Sequence, residues 1–334
     1  MVADVNGRFV WHELMTRDVA GARKFYPKVL GWKTQPWPLD PGYTICHADA
    51  VPTAGIFAIP DDMPAEMPAH WVGYVGTRDV DGTVAAAVRA GASIVKGPDD
   101  IKGAGRYAVL KDPQGAVFAI LDPENARDEV PGVPALGTFS WHELATSDYE
   151  AAFAFYSSLF GWDVMQRHDM GPQYGIYLVF GSKGVQRGGI WNKPPEMTGP
   201  PNWLPYAHVP SADDHWKLAE AGGAKLLAGP MEVPGGSRIT SFIDPTGATF
   251  AIQSMPASSA MSPLEKEKPA AKPKAKVKAK AKAKAKVSKS APKKAKKKAA
   301  KKRVAKRPVR KAVKKVARKV ARKSVKKKSA RRKK

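Results

Sequence analysis

Apolar and polar positions alternate from Phe9 to Thr16, the period of a half-buried strand. Asp18 then stands where a helix N-cap belongs. Val19, Ala22, Tyr26, Val29 and Leu30 follow at helical spacing up to Gly31, a C-terminal stop. Pro27 falls inside this helix and deletes one backbone hydrogen bond, so a bend is expected. Three short strands are predicted next, over Trp32 to Trp37, Tyr43 to His47 and Thr53 to Ile59. The pattern then restarts with a strand over Trp71 to Val75. Asp79 or Asp81 caps a helix carrying Val84, Ala87 and Val88 and stopping at Gly91, and strands follow near Ser93 to Val95, Arg106 to Leu110 and Ala116 to Leu121. Asp112-Pro113-Gln114-Gly115 has the residues of a tight turn between the last two strands. Each stretch reads βαβββ.

The whole arrangement occurs again. Trp11-His12-Glu13-Leu14 returns as Trp141-His142-Glu143-Leu144, and at the same offset Asp18, Phe25-Tyr26 and Gly31-Trp32 match Asp148, Phe155-Tyr156 and Gly161-Trp162. After a drift of two residues, Trp71, Tyr74, Arg106, Asp112-Pro113 and Gly115 match Trp203, Tyr206, Arg238, Asp244-Pro245 and Gly247. Such self-similarity means duplication of a structural unit. Domains are therefore expected over residues 7–123 and 137–255, with residues 124–136, rich in charge, Pro and Gly, as an exposed linker.

Charge changes this picture only at the C-terminal end. Residues 1–260 hold 20 Lys+Arg against 28 Asp+Glu, whereas residues 261–334 hold 36 against 2. From Lys266 onward the chain has no aromatic residue, so it cannot bury enough apolar surface to offset ordering entropy; residues 256–334 are expected to be disordered alone and to bind nucleic acid through residues 266–334. The only cysteine is Cys46, which excludes an intrachain disulfide and a cysteine-based zinc site. No apolar run is long enough for a membrane span and no secretory pattern opens the sequence, so a cytoplasmic, nucleoid-associated protein without a membrane partner is expected.

Paired βαβββ modules, an aromatic pair in the first helix, a Gly-aromatic stop and the Asp-Pro-x-Gly turn together resemble the vicinal-oxygen-chelate superfamily of glyoxalases, bleomycin-resistance proteins and dioxygenases. The Trp-x-Glu-Leu opening and the Asp-Pro-x-Gly-Ala-x-Phe-Ala-Ile ending are similar to its two-domain, glyoxalase-like branch. The tail is similar to the Lys/Ala-rich tails of linker histones. The resemblance implies an α+β fold in which two modules curl into a cup-shaped mixed sheet. It also implies a divalent metal held by His, Gln or Glu on the first strand of each module and a Glu on the last. Those positions are Trp11, Val72 and Ala119 in the first copy and Trp141, Leu204 and Ala251 in the second. None of these side chains ligates a divalent ion, so neither cup is expected to hold a metal or other cofactor.

Strand alternation places Trp11 and Glu13, and likewise Trp141 and Glu143, on the cup face, with Tyr74 and Tyr206 beside them. Each Glu is read either as a ligand contact or general base, or as an ion-pair partner of Arg106 or Arg238 or a carboxylate reaching solvent at the rim. The two arginines suit a ligand carboxylate equally well. His208 shares the parity of Tyr206, and its counterpart in the first copy is Gly76, so Glu143, Tyr206 and His208 form the strongest catalytic candidate. His12 and His142 point to the opposite face, each expected to be tucked against a helix. Ligand-binding candidates are thus Trp11, Glu13, Tyr74, Arg106, Trp141 and Arg238. The leading expectation is metal-independent binding of a small molecule. The alternatives are a lyase, isomerase or dioxygenase-type enzyme built on the second cup, and a nucleoid-associated DNA-binding protein whose cups are vestigial.

Overall fold

The computed structural model describes residues 3–130 and 132–256, so the expectations for the basic tail lie outside the described residues. The first repeat runs β1 (Phe9–Thr16), α1 (Val19–Leu30), β2 (Lys33–Trp37), β3 (Asp40–Ala48), β4 (Val51–Ala58), β5 (His70–Gly76), α2 (Val80–Arg89), β6 (Ser93–Ile101), β7 (Gly105–Lys111) and β8 (Val117–Pro123). The second repeats it as β9 (Phe139–Thr146), α3 (Tyr149–Phe160), β10 (Asp163–Asp169), β11 (Ile176–Ser182), β12 (Val185–Asn192), β13 (Asn202–His208), α4 (Ala212–Ala221), β14 (Lys225–Glu232), β15 (Arg238–Ile243) and β16 (Thr249–Ser254). Four βαβββ modules are present, as the periodicity predicts, in an α+β fold. Asp18, Asp79 and Asp148 accept the first free N–H groups of their helices, and Gly31 and Gly161 end α1 and α3 in the left-handed conformation. Strand ends are the main departure: β3 and β6 run longer than predicted because hairpin pairing with their neighbours extends them past the apolar stretch.

Each repeat forms one eight-stranded mixed sheet, in the orders β2-β3-β4-β1-β5-β8-β7-β6 and β10-β11-β12-β9-β13-β16-β15-β14. The modules join at the antiparallel β1–β5 and β9–β13 pairs, which puts the Trp-His-Glu-Leu strands at the centre of their sheets. Among the described residues no helix is long and apolar enough to cross a membrane.

The cores are shared between the two sheets. Leu14, Phe25, Tyr26, Trp32 and Trp71 of the first repeat pack with Phe242, Phe250 and Ile252 of the second. Leu110, Phe118 and Ile120 pack in the same way with Phe155, Tyr156, Trp162 and Trp203. The helix-bearing faces therefore lie back to back, and the cups open away from the shared core.

Reciprocal hydrogen bonds stitch this seam. The Tyr26 hydroxyl donates to Asp244 Oδ2 at 2.6 Å while accepting from Trp71 Nε1 at 2.8 Å, and Tyr156 does the same with Asp112 at 2.9 Å and Trp203 at 3.0 Å. The other oxygen of each aspartate caps its own turn, so the Asp-Pro-x-Gly segment works in both repeats at once.

His12 and His142 meet at this seam rather than against helices, their Nε2 atoms 2.7 Å apart. Each ring stacks on a phenylalanine of the other repeat, His12 on Phe139 and His142 on Phe9. His142 Nδ1 lies 3.1 Å from the Arg187 carbonyl, which only accepts, so that nitrogen carries the proton and His142 Nε2 accepts from His12. Burial holds both imidazoles neutral, His142 down to about 3 and His12 well below its ordinary value.

A pH dependence follows. Below the unfolded value of about 6.5 the unfolded chain takes up protons that the native pair refuses. Stability is therefore full above that value and lost as pH falls toward about 3. Each histidine contributes a slope of about 1.4 kcal/mol per pH unit in this window. Glu13 and Glu143, raised in the native state, act in the opposite sense, being stabilising at low pH and losing that contribution as pH rises through their folded values. Comparing wild type with His12→Gln isolates the pair: unfolding free energies from urea titrations at pH 7.5 and 5 should draw apart about 2 kcal/mol less in the variant. Equal pH sensitivity of the two proteins would contradict the neutral pair.

Candidate functional site

The sheet register assembles the site from chain-distant strands. Across the first cup, Trp11 on β1 stands opposite Tyr74 on β5, which stands opposite Ala119 on β8, and Glu13 stands opposite Val72. The second cup repeats this with Trp141, Tyr206 and Ala251, and with Glu143 opposite Leu204. Trp11, Glu13, Trp141 and Glu143 keep partial exposure while His12, Leu14, His142 and Leu144 are buried, which fits their placement on the cup face.

Each glutamate is held by tyrosines. Tyr43 donates to Glu13 Oε1 at 2.7 Å and accepts from Trp11 Nε1 at 2.8 Å, and Tyr74 donates to Glu13 Oε2. In the second cup Tyr177 donates to Glu143 Oε2 at 2.9 Å and accepts from Trp141 Nε1 at 2.9 Å, while Tyr206 turns its hydroxyl toward the same carboxylate. Trp191 Nε1 is buried near Glu143 without a partner at hydrogen-bonding geometry.

Burial pushes both glutamate carboxyls above their ordinary range, and the tyrosine hydrogen bonds pull partly the other way. Burial, then the glutamate charge, holds Tyr43, Tyr74, Tyr177 and Tyr206 well above 10. The tyrosines therefore stay protonated and act as donors.

Tyr43 and Tyr177 are site residues that the sequence reading missed. Each crosses a neighbouring strand at a glycine, Gly55 or Gly189, to reach its glutamate. A Cβ on Gly55 would lie 1.8 Å from the Tyr43 hydroxyl, and one on Gly189 would lie 2.1 Å from that of Tyr177. A glycine inside a strand is the signal for such a close approach.

Three expected members stand elsewhere. Arg106 pairs through its guanidinium with Asp81 and Asp100, and Arg238 with Asp213, each aspartate of the first helical turn lying nearer than the cup. Neither arginine meets Glu13 or Glu143. His208 continues the unbroken β13–β16 register two residues past Tyr206, and its Nδ1 lies 2.7 Å from the Pro134 carbonyl of the linker. It borders a hollow of about 340 Å³ with Leu30, Ala48 and His215, and among the described residues no hydrogen bond joins it to Glu143 or Tyr206. A second hollow of about 550 Å³ lies by Arg78, Asp100, Arg106 and Asp122, whose charges already pair with one another.

The residues do not fit a divalent ion. Each cup offers one carboxylate already engaged by tyrosine hydroxyls, and the floor of the first is the apolar cluster Val72, Tyr74, Tyr107, Ala119 and Leu121. Among the described residues no group of three or more His, Cys, Asp or Glu is placed to hold a metal.

Residues 11–121 match the Glyoxalase-like domain family, and residues 138–252 match the Glyoxalase/Bleomycin resistance protein/Dioxygenase superfamily. The chain belongs to this superfamily. Among similar glyoxalase-superfamily proteins is CFP32 of Mycobacterium tuberculosis, provisionally assigned as a glyoxylase, 31% identical over 246 residues that cover 72% of this chain and 92% of the relative. The anthracycline biosynthesis protein DauV of Streptomyces sp. is 30% identical, with 74% of this chain and 92% of that protein covered. The Mn(II)-bound glyoxalase of Novosphingobium aromaticivorans shares the fold at a TM-score of 0.52 and 19% identity, covering 75% of this chain and 82% of its own. The 2,2',3-trihydroxybiphenyl 1,2-dioxygenase of Sphingomonas wittichii does so at 0.54 and 12%, covering 75% and 90%.

Proposed function

We propose that this glyoxalase-superfamily protein binds a small, planar or amphipathic molecule in one or both cups without a metal, and that its basic tail holds nucleic acid. The observation that carries the first part is the Trp-Tyr-Glu-Tyr chain in each cup. It provides an aromatic wall and one oriented acceptor in place of metal ligands. The naming of DauV for anthracycline biosynthesis makes that compound class the first to try.

The test is thermal unfolding of the full chain against such compounds, with and without a chelator. A ligand at 100 times its Kd adds about 2.7 kcal/mol, and the shift should survive chelation and disappear in the double variant Trp11→Ala/Trp141→Ala. A shift that requires added divalent metal would overturn metal independence. An enzymatic reading keeps one specific support: the raised carboxyl of Glu143 suits a general base beside Tyr206. His208 takes no part in it. Turnover lost in Glu143→Gln with binding retained would mark catalysis, and binding and turnover lost together would not.

A further inference from the structure

The second cup holds a half-buried carboxylate with no cation to balance it. Among the described residues the groups that act on Glu143 are Tyr177, Trp191 and Tyr206, with no Lys, Arg or His among them. Glu13 differs, because the Lys96 charge reaches it. Tyr177 reaches Glu143 through its hydroxyl, Trp141 donates to that hydroxyl, and Trp191, with Tyr174 packed edge-on to it, lies beside the same carboxylate. Aromatic faces and an uncompensated carboxylate both attract positive charge, and do so more strongly where water is excluded.

We infer that the second cup is selective for an organic ammonium ion carried on a planar apolar body, its N–H groups directed to Glu143 and its body against the tryptophans. This rests on the binding reading above and narrows it to a ligand class. Binding is linked to the proton on Glu143: burial raises that carboxyl, a cation lowers it again, and affinity therefore increases as pH rises through its titration.

Two probes sharing one ring system test this, 9-aminoacridine as the planar cation and acridine, uncharged at mildly alkaline pH. All nine tryptophans lie in the two repeats and none in the tail, so tryptophan quenching in the full chain reads the cups without interference from the tail. The cation should bind about tenfold tighter than acridine. Glu143→Gln should remove that preference, and Glu220→Gln, on the exposed side of α4, should leave it. Should Glu143→Gln fail to fold, wild type alone decides, since 9-aminoacridine affinity must rise with pH. Equal binding of the two probes, a preference that survives Glu143→Gln, or a pH-independent affinity for the cation would overturn the ammonium assignment and leave cup binding standing. Quenching by neither probe would overturn both.

Discussion

Residues 1–130 produced alone are expected not to yield a folded monomer. Although they contain every strand of one sheet, their helix-bearing face is covered by Phe242, Phe250 and Ile252 on one side and by Phe155, Tyr156 and Trp203 on the other. Uncovering a large apolar side chain costs about 1.5–3 kcal/mol, so four such losses match the roughly 5–15 kcal/mol that holds an ordinary domain together. Asp112 and Tyr26 would also lose their partners across the seam, Tyr156 and Asp244. The fragment should therefore be unfolded, or should pair with a second copy of itself in the way the two repeats pair. Size-exclusion chromatography with near-ultraviolet circular dichroism separates these outcomes. A compact, cooperatively melting monomer would refute the shared-core account.

The second large effect is in nucleic-acid binding. The 36 basic residues of positions 261–334 face only 2 acidic ones, whereas the preceding 260 residues carry a net charge of −8 and should be repelled by phosphate. Engaging roughly 10 phosphates predicts a slope near −9 in log K against log salt concentration. Affinity for duplex DNA should accordingly fall by about five orders of magnitude between 50 and 200 mM salt. Little sequence preference is expected, since neutralisation of phosphates, which carries no base information, supplies the binding. Filter binding or fluorescence anisotropy with the full chain and with a truncation after Pro256 gives the answer. Equal affinity of the two, or full-length binding insensitive to salt, would remove the tail from the account.

Much of the fold could be read from local pattern, because the signals involved are local. The period-two run at Phe9–Thr16, the Asp18 and Asp148 caps and the Gly31 and Gly161 stops act within one element, and the repeat doubled the evidence for each. Strand parity likewise placed Glu13 and Glu143 on the cup face, since successive side chains of a strand must point to opposite sides.

The site was legible only in part. Tyr74 and Tyr206 follow from parity, but Tyr43 and Tyr177 reach their glutamates from two strands away, over Gly55 and Gly189, and the order of strands in a sheet is not written in any one segment. Arg106 and Arg238 have the right type and spacing for a ligand anchor. Tertiary placement set Asp81 and Asp213 within reach first, and the nearest carboxylate captures a guanidinium. His208 keeps the strand parity of Tyr206, but the linker brings the Pro134 carbonyl to its Nδ1, a contact that no local pattern announces.

What the sequence determined by itself is therefore everything set by periodicity, capping and charge: four modules, the parity that puts one carboxylate per repeat on the cup face, and a polycation at the end. The tertiary structure alone decided which face of each repeat covers the other. From that came the His12–His142 contact, the exchange of Tyr26 and Tyr156 for Asp244 and Asp112, and a core that belongs to neither repeat. The reason is physical. A helix-covered sheet carries an apolar outer surface that must be buried, but apolar burial is non-directional, so the pattern that demands a partner does not say which surface supplies it.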